Sequence, residues 1–497
     1  MFQLIAIAFC GLASVILLNS LNRYRVRMSK LNTIPTVGRD GFFSSYVSAY
    51  KFLKNAEAVV QEGYNRYPNS AFKVPLLDQW AVLVSGPDMI NDLRRATDDQ
   101  MSSSVALEKF LHMHRVFGKS FHDDPYHLGV IQTTLTRSIG SKTTEVYEEI
   151  VAAFNDLIPP TKDNLSTDWI QATALDKVLD IVVRASNRLY VGLPLCRNPE
   201  WMALNTCFAT GVFGAAQTTN LFPTFLQPIV HWWVSPRSKA FATASKILRP
   251  TIIERLERLK IGEEGTESSD DLLGWLIKAT NGKKERLNPD DLILRMLFFN
   301  MASIHTTALT HALFQLAPRP ELVKLLRDEV EPVIQADGWT KAAMGKLRMM
   351  DSFLKETQRV SSSPPLSVQR VNLHDFTFSN GVVVPAGTFI VVCARATHFD
   401  QAHYPSSSQF DALRSYRKRE KENESNKHQM VTPEVDYLTF GTGRFFAVNE
   451  LKLILSHILL HYDIKFEEGK KQHQPVMFGG RVNPDPNTQV MFRKRAM

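Results

Sequence analysis

Through the middle of the chain apolar side chains recur three and four positions apart. Glu145–Asp156, Asp176–Tyr190 and Ala240–Leu259 each carry this spacing, which predicts amphipathic helices. Leu287-Asn288-Pro289-Asp290-Asp291 reads as a helix start, with Asn288 as N-cap, proline first and acids in the first turn. The apolar run behind it continues to about Leu316, a length suited to crossing the centre of a large domain. Ile261–Asp270 is rich in glycine, acids and serine and reads as an exposed loop. After Arg359 the texture changes. Leu366–Arg370, Phe376–Phe378 and Val382–Val384 read as short strands, Pro385–Thr388 as a turn and Phe389–Cys393 as a buried strand. Arg417–Lys427 is expected as a charged loop, Leu451–His461 as an amphipathic helix and Val490–Arg493 as a final strand. The expected class is α-rich α+β, with its small β portion mainly in the last third.

The N-terminus has a different pattern. Phe2 to Leu18 is nearly all apolar, interrupted by Gln3 and Ser14, and Arg23, Arg25, Arg27 and Lys30 follow directly. A bilayer span takes about 20 apolar residues. The positive charge comes after the apolar run, where a cleaved signal would carry small residues, so a retained signal-anchor is the better reading. The positive-inside rule then leaves everything beyond Arg23 in the cytosol. The expected organisation is a transmembrane anchor over 1–21, a basic, proline-containing linker over 22–38, and one large domain over 39–497. Ile34-Pro35-Thr36-Val37-Gly38 reads as a stiff turn within the linker.

Composition narrows the function classes. The 497 residues are 44% hydrophobic and 22% charged, ample for one sizeable core. The net charge of +8 is spread along the chain rather than gathered into a stripe with interleaved aromatics, which argues against nucleic-acid binding. A basic face toward an anionic membrane or an acidic redox partner fits better. The cysteines are Cys10, Cys196, Cys207 and Cys393, without a CxxC, so a disulfide scaffold is not expected. HExxH, GxSxG and P-loop patterns are absent from the sequence, and Gly441-x-Gly443 lacks the third small residue and the βαβ setting of a dinucleotide loop.

Glu356 and Arg359 lie three apart on a predicted helix and can pair. Alone, such a pair reads as a solvated surface contact. About fifty residues later comes Phe410-Asp411-Ala412-Leu413-Arg414, and the long apolar helix carries Ala302-Ser303-Ile304-His305-Thr306-Thr307. The order of ExxR helix, small sheet, arginine loop, aromatic-glycine loop and final helix resembles the haem-thiolate monooxygenases, the cytochromes P450, over nearly the whole chain. The resemblance implies their fold, with a long central helix over the haem site, small sheets and an N-terminal anchor. It implies that Glu356, Arg359 and Arg414 form a buried network that fixes the haem-side loops. Thr306 falls in the slot of a threonine that opens the helix beside bound oxygen and helps deliver protons. His305 replaces the family's acid, as in fungal relatives resembling gibberellin-pathway oxidases, and an imidazole can relay protons. The plainer readings are a hydroxyl back-bonded within its helix and a satisfied core histidine. Arg370 would hold a haem propionate, or is an exposed strand arginine. Arg137 could supply the arginine of the family's tryptophan-arginine pair on an earlier helix and contact the cofactor, although no tryptophan stands four residues before it. Phe440 and Gly443 would belong to the haem-binding loop.

The resemblance further implies haem as cofactor and NADPH electrons delivered by a cytochrome P450 reductase. It implies a small apolar substrate, terpenoid or other secondary metabolite, and a single-pass endoplasmic reticulum protein with its catalytic domain in the cytosol. Gly211–Val234, with Phe222, Phe225, Trp232 and Trp233, reads as a substrate lid, a membrane-dipping face or plain core packing.

The family's most specific motif is Phe-x-x-Gly-x-(Arg/His)-x-Cys-x-Gly. The chain here reads Phe440-Gly441-Thr442-Gly443-Arg444-Phe445-Phe446-Ala447-Val448-Asn449. Aligned without a gap, Ala447 takes the cysteine slot. Aligned with one, Gly443 is the final glycine and roughly six residues are missing, up to about 20 Å of reach at about 3.3–3.6 Å each. Neither alignment supplies a thiolate, so no metal ligand is assigned near Gly443. Cys393 lies in a strand before Arg414 and is not expected to substitute; His457 and His461, four apart on the last helix, read as a surface pair. Two readings stand: a monooxygenase whose coding sequence is truncated here, or a non-catalytic P450-like protein.

Overall fold

The computed structural model describes residues 21–22, 24–26, 28–158, 169–261, 270–303, 306–439, 444–469, 476–478 and 481–495. The apolar anchor, most of the expected loop before Asp270, His305, Phe440 and Gly443 lie outside these residues.

The predicted helices are present, most of them longer than their apolar period, and helices over Pro199–Asn220 and Pro320–Asp337 join them unpredicted. They are α1 (Thr136–Leu157), α2 (Ala174–Tyr190), α3 (Pro199–Asn220), α4 (Arg237–Lys260), α5 (Pro289–Ser303), α6 (Thr306–Leu316), α7 (Pro320–Asp337), α8 (Arg348–Thr357) and α9 (Arg444–His461). Asn288 caps α5, its Oδ1 accepting from the Asp290 amide at 2.9 Å. The most apolar 18-residue stretch of the Pro289–Leu316 helical run has a mean hydropathy of 1.3, and 86% of it is buried inside the body. That burial accounts for its hydropathy: it is a core helix. α2 packs against α1, α3, α5 and α6 and threads the centre of the helical layer.

The main sheet has the order β1-β2-β8-β5-β3. Here β1 is Ala71–Pro75, β2 Trp80–Val84, β3 Met101–Ser102, β5 Ser367–Asn372 and β8 Phe389–Val392. β2 and β8 run parallel, with Val82 opposite Ile390, so an early strand and a late one share the sheet centre. The apolar pattern places strands mainly in the last third and gives no sign of β1 and β2, which lie early in the chain. Both are buried along their whole length, and a fully buried strand has no alternation to betray it. Strands β4 (Ile170–Thr173), β12 (Gln489–Lys494) and β9 (Tyr462–Lys465) form a second sheet with β12 in the middle, and two hairpins pair β6 (Phe376–Thr377) with β7 (Val383–Val384) and β10 (Val476–Phe478) with β11 (Arg481–Asn483). The expected charged loop begins later than predicted, because Arg414–Arg419 is a short helical turn. Cys393 follows β8 and is fully buried in an apolar cluster with Val60, Phe72 and Val391.

Candidate functional site

The site is organised by α8, whose residues Met350 to Thr357 are all buried. Its buried charges fall at 351, 355 and 356, with Arg359 in the wider turn that continues it, so the helix carries ions into the core. Each one has a partner. Glu356 takes Arg359 in a forked pair, Nε to Oε2 at 2.9 Å and Nη2 to Oε1 at 2.7 Å. It also accepts from Arg414 Nε at 3.2 Å and from the Asp411 amide at 3.1 Å. Arg359 Nη1 donates to the carbonyls of His398 (2.6 Å) and Ser407 (2.8 Å), and Arg414 Nη1 to that of Pro405 (2.7 Å). Glu356, Arg359 and Arg414 are therefore brought together; Glu356 and Arg359 are buried and Arg414 is half-buried, so the pair is not a solvated surface contact. Buried charges are tolerable only when satisfied in this way.

Two further ionic anchors on α8 were not singled out from the sequence. Asp351 pairs with Lys452 of α9 at 2.6 Å and accepts from the Met430 amide at 2.8 Å. Lys355 pairs with Glu434 at 2.6 Å. The signal was present: charges at 351, 355 and 359 are four apart, a stripe on one helix face.

The segment entering residues 440–443 is held from several sides. Tyr404 Oη donates to the Asp436 carbonyl at 2.8 Å, Tyr437 Oη to Gln358 Oε1 at 2.6 Å, and Ser367 Oγ to the Leu438 carbonyl at 2.8 Å. His398 completes the brace. The Leu438 amide donates to its Nε2 at 3.0 Å, so Nδ1 carries the proton and donates to Ser363 Oγ at 2.7 Å. Burial, then the nearby Arg359, Arg395 and Lys355, push the His398 pKa down to about 3, so this neutral tautomer holds across the physiological range.

Beyond 443 the environment turns apolar. α9 begins at Arg444; Phe446 and Val448 are buried, and Ala447 is completely so. Ala447 lies within the first turn of a regular helix, which favours the gapped alignment over the one that puts the cysteine slot there. One turn on, Glu450 Oε1 accepts from Ser186 Oγ of α2 at 2.8 Å, and burial raises its carboxyl pKa to about 8. His457 is not a surface group. It is buried beside Tyr147, Phe154 and Tyr462, its Nδ1 3.2 Å from Tyr147 Oη, and burial lowers its pKa to about 3. The packing of α9 against α1 turns that face inward, where the four-residue spacing alone suggested an outer one.

Thr306 opens α6; its side chain lies outside the described atoms. Arg370 is half-buried on β5, its Nη1 bonded only to the Gln369 carbonyl at 2.8 Å, with no carboxylate in salt-bridge contact among the described residues. Burial lowers its pKa, with Asp98 opposing from further off. Arg137 is exposed, because the helical period buries Ile131, Leu135 and Ile139 and leaves 137 on the opposite face. The structure therefore gives no geometric support for placing Arg137 at a shared site with Arg370.

These groups fit a haem on one count and not on another. Arg370 is a half-buried cation without an anion, suited to a propionate. An axial thiolate has no source among the described cysteines. Cys393 is buried in its sheet-side cluster with its thiol pKa pushed far up by desolvation. Cys196 is buried in a turn before α3, its thiol pushed up to about 11 by desolvation and then by Glu149. Cys207 is exposed on α3. No cysteine follows Cys393 in the sequence.

The cytochrome P450 family model matches residues 48–492. The chain is 38% identical to cytochrome P450 monooxygenase 151 of Postia placenta, covering 98% of each chain. It is 38% identical to cytochrome P450 monooxygenase 110 of the same fungus, covering 95% of each. It is 29% identical to an ent-kaurene oxidase of Gibberella intermedia, over 93% of this chain and 88% of that one. The chain belongs to the cytochrome P450 monooxygenase family, in the oxidoreductase class.

Proposed function

We propose that this P450-family chain is a monooxygenase scaffold for a small apolar, terpenoid-type substrate, and that as encoded it has lost the thiolate its reaction requires. Family membership implies haem, a small organic substrate and a redox partner that supplies electrons. The family's cysteine pushes electron density onto iron and favours O–O cleavage, and no residue from Arg444 onward offers a sulfur of that kind. That absence carries the conclusion, so no catalytic step is assigned to the chain as it stands.

The roles of the remaining groups follow from their chemistry. Arg359 and Arg414, paired with Glu356, hold the carbonyls of His398, Pro405, Ser407 and Gln409 in place and do no proton transfer of their own. Arg370 would receive a propionate. Thr306 and His305 would manage protons at the central helix. The terpenoid assignment draws support from the relative named ent-kaurene oxidase. NADPH through a membrane reductase would be the electron source.

An endoplasmic reticulum anchor over 1–21, a linker over 22–38 and a cytosolic body from 39 fit the N-terminal apolar run with its trailing arginines. Phe225, Ile229, Trp232 and Trp233 support a membrane-facing surface as well. The two tryptophans are 81% and 84% exposed, and no charged residue occurs from Leu221 to Pro236. Tryptophan favours the bilayer interface.

The non-catalytic reading and the truncated-gene reading part at one observation. Sequencing the transcript across Phe440–Phe446 tests them. Recovery of additional codons including a cysteine restores the enzyme; the sequence as printed makes the protein a non-catalytic member.

A further inference from the structure

On the far side of the Glu356 network lies an open cleft of about 870 Å³, between the start of α7 and the segment 403–421. Five cationic side chains line it: Arg319, Arg414, Arg417, Lys418 and Lys421. Its only carboxylates among the described residues are Glu321 and Asp411. Asp411 is already engaged, in a short contact with Arg417 and by accepting from the Leu413 amide at 3.2 Å.

Much of the positive charge is uncompensated. The Arg319 guanidinium bonds only to Gln315 near the end of α6, at 2.7 Å to the carbonyl and 2.7 Å to Oε1, and lies 5.1 Å from the Phe410 ring centre. Lys421 is exposed and has no ion pair among the described residues. Lys418 is 3.8 Å from Asp436, a loose contact. Arg414 donates one N–H each to Glu356, Pro405 and Gln409, which leaves two of its five.

We propose that this cleft binds a small polyphosphate anion, inorganic or organic. Guanidinium forks match phosphate oxygens. The volume falls in the range of roughly 300–1,000 Å³ that small-molecule sites occupy. Because Arg414 belongs both to the cleft and to the Glu356 network, an anion seated there pulls on the brace that positions residues 405–414. The site thus couples a surface ligand to the interior frame, and it needs no haem.

Calorimetric titration of the full-length protein in neutral detergent with inorganic pyrophosphate, at fixed ionic strength, tests this. The expected result is saturable binding that the Arg319→Gln/Lys421→Gln double variant weakens by about tenfold or more. Lys324→Gln, outside the cleft, should leave binding unchanged. Lys421→Glu alone serves if the double variant does not fold, and should also weaken binding. Absence of saturable heat, or equal affinity in wild type and cleft variants, overturns the proposal. Binding of polyglutamate but not pyrophosphate overturns it as well, in favour of an acidic macromolecular partner.

Discussion

The two flanks of residues 440–443 are built from different materials. On the entering side, polar groups fix Asp436, Tyr437 and Leu438 through Tyr404, Gln358, Ser367 and His398. On the leaving side, Phe446, Ala447 and Val448 enter an apolar core, and the first ionic anchor is Lys452 reaching back to Asp351. The polar brace precedes residues 440–443 and the apolar packing follows them, so the two flanks are fixed by different interactions. Each half of the comparison can be tested.

The largest effect is expected at Arg359. Arg359→Ala leaves Glu356 buried with one partner fewer and frees the carbonyls of His398 and Ser407. Loss of a buried pair's partner costs about 3–5 kcal/mol, read as a drop in the urea midpoint. A change within experimental error would show that the network is not what holds the frame.

On the other flank, Glu450 makes stability depend on pH. Its folded pKa of about 8 lies above the usual 4.5, so its favourable contribution is whole below the lower value and is lost as pH rises toward the upper. The slope is about 1.4 kcal/mol per pH unit, roughly 3 kcal/mol between pH 5 and 7. Subtracting the Glu450→Gln profile from that of the wild type should isolate this fall; parallel profiles would mean that the carboxyl is not protonated in the core.

His398→Phe removes the acceptor for the Leu438 amide. The expected cost is about 1–2 kcal/mol, with hydrogen exchange of that amide accelerated while Glu450's neighbours on α9 keep their protection. Equal acceleration on both flanks would erase the distinction between them. The smallest effect is assigned to Lys324→Gln. Its partner Asp328 is exposed, and such helical pairs contribute about 0.3–0.5 kcal/mol.

The helices were legible because their apolar period survives burial on one face, as in Glu145–Asp156 and Asp176–Tyr190. β1 and β2 were not, since burial on both faces removes the period. Arg359 was within reach of Glu356 by its three-residue spacing, but Arg414 was reachable only through the family's order of motifs, because it is 58 residues away along the chain. His398 and Glu450 gave no local signal. One owes its role to a tautomer fixed by an amide forty residues later, the other to a serine on α2. His457 went inward because α1 covers it, which the last helix alone cannot say.

The reduced, carbon-monoxide-bound absorption spectrum of the full-length protein, expressed with haem precursor supplied, addresses the central claim directly. An intact frame without a ligand predicts no red-shifted Soret band of the thiolate type, whether or not haem is retained. Appearance of that band in the chain as encoded would contradict the account, because a cysteine from elsewhere would then have to reach the iron.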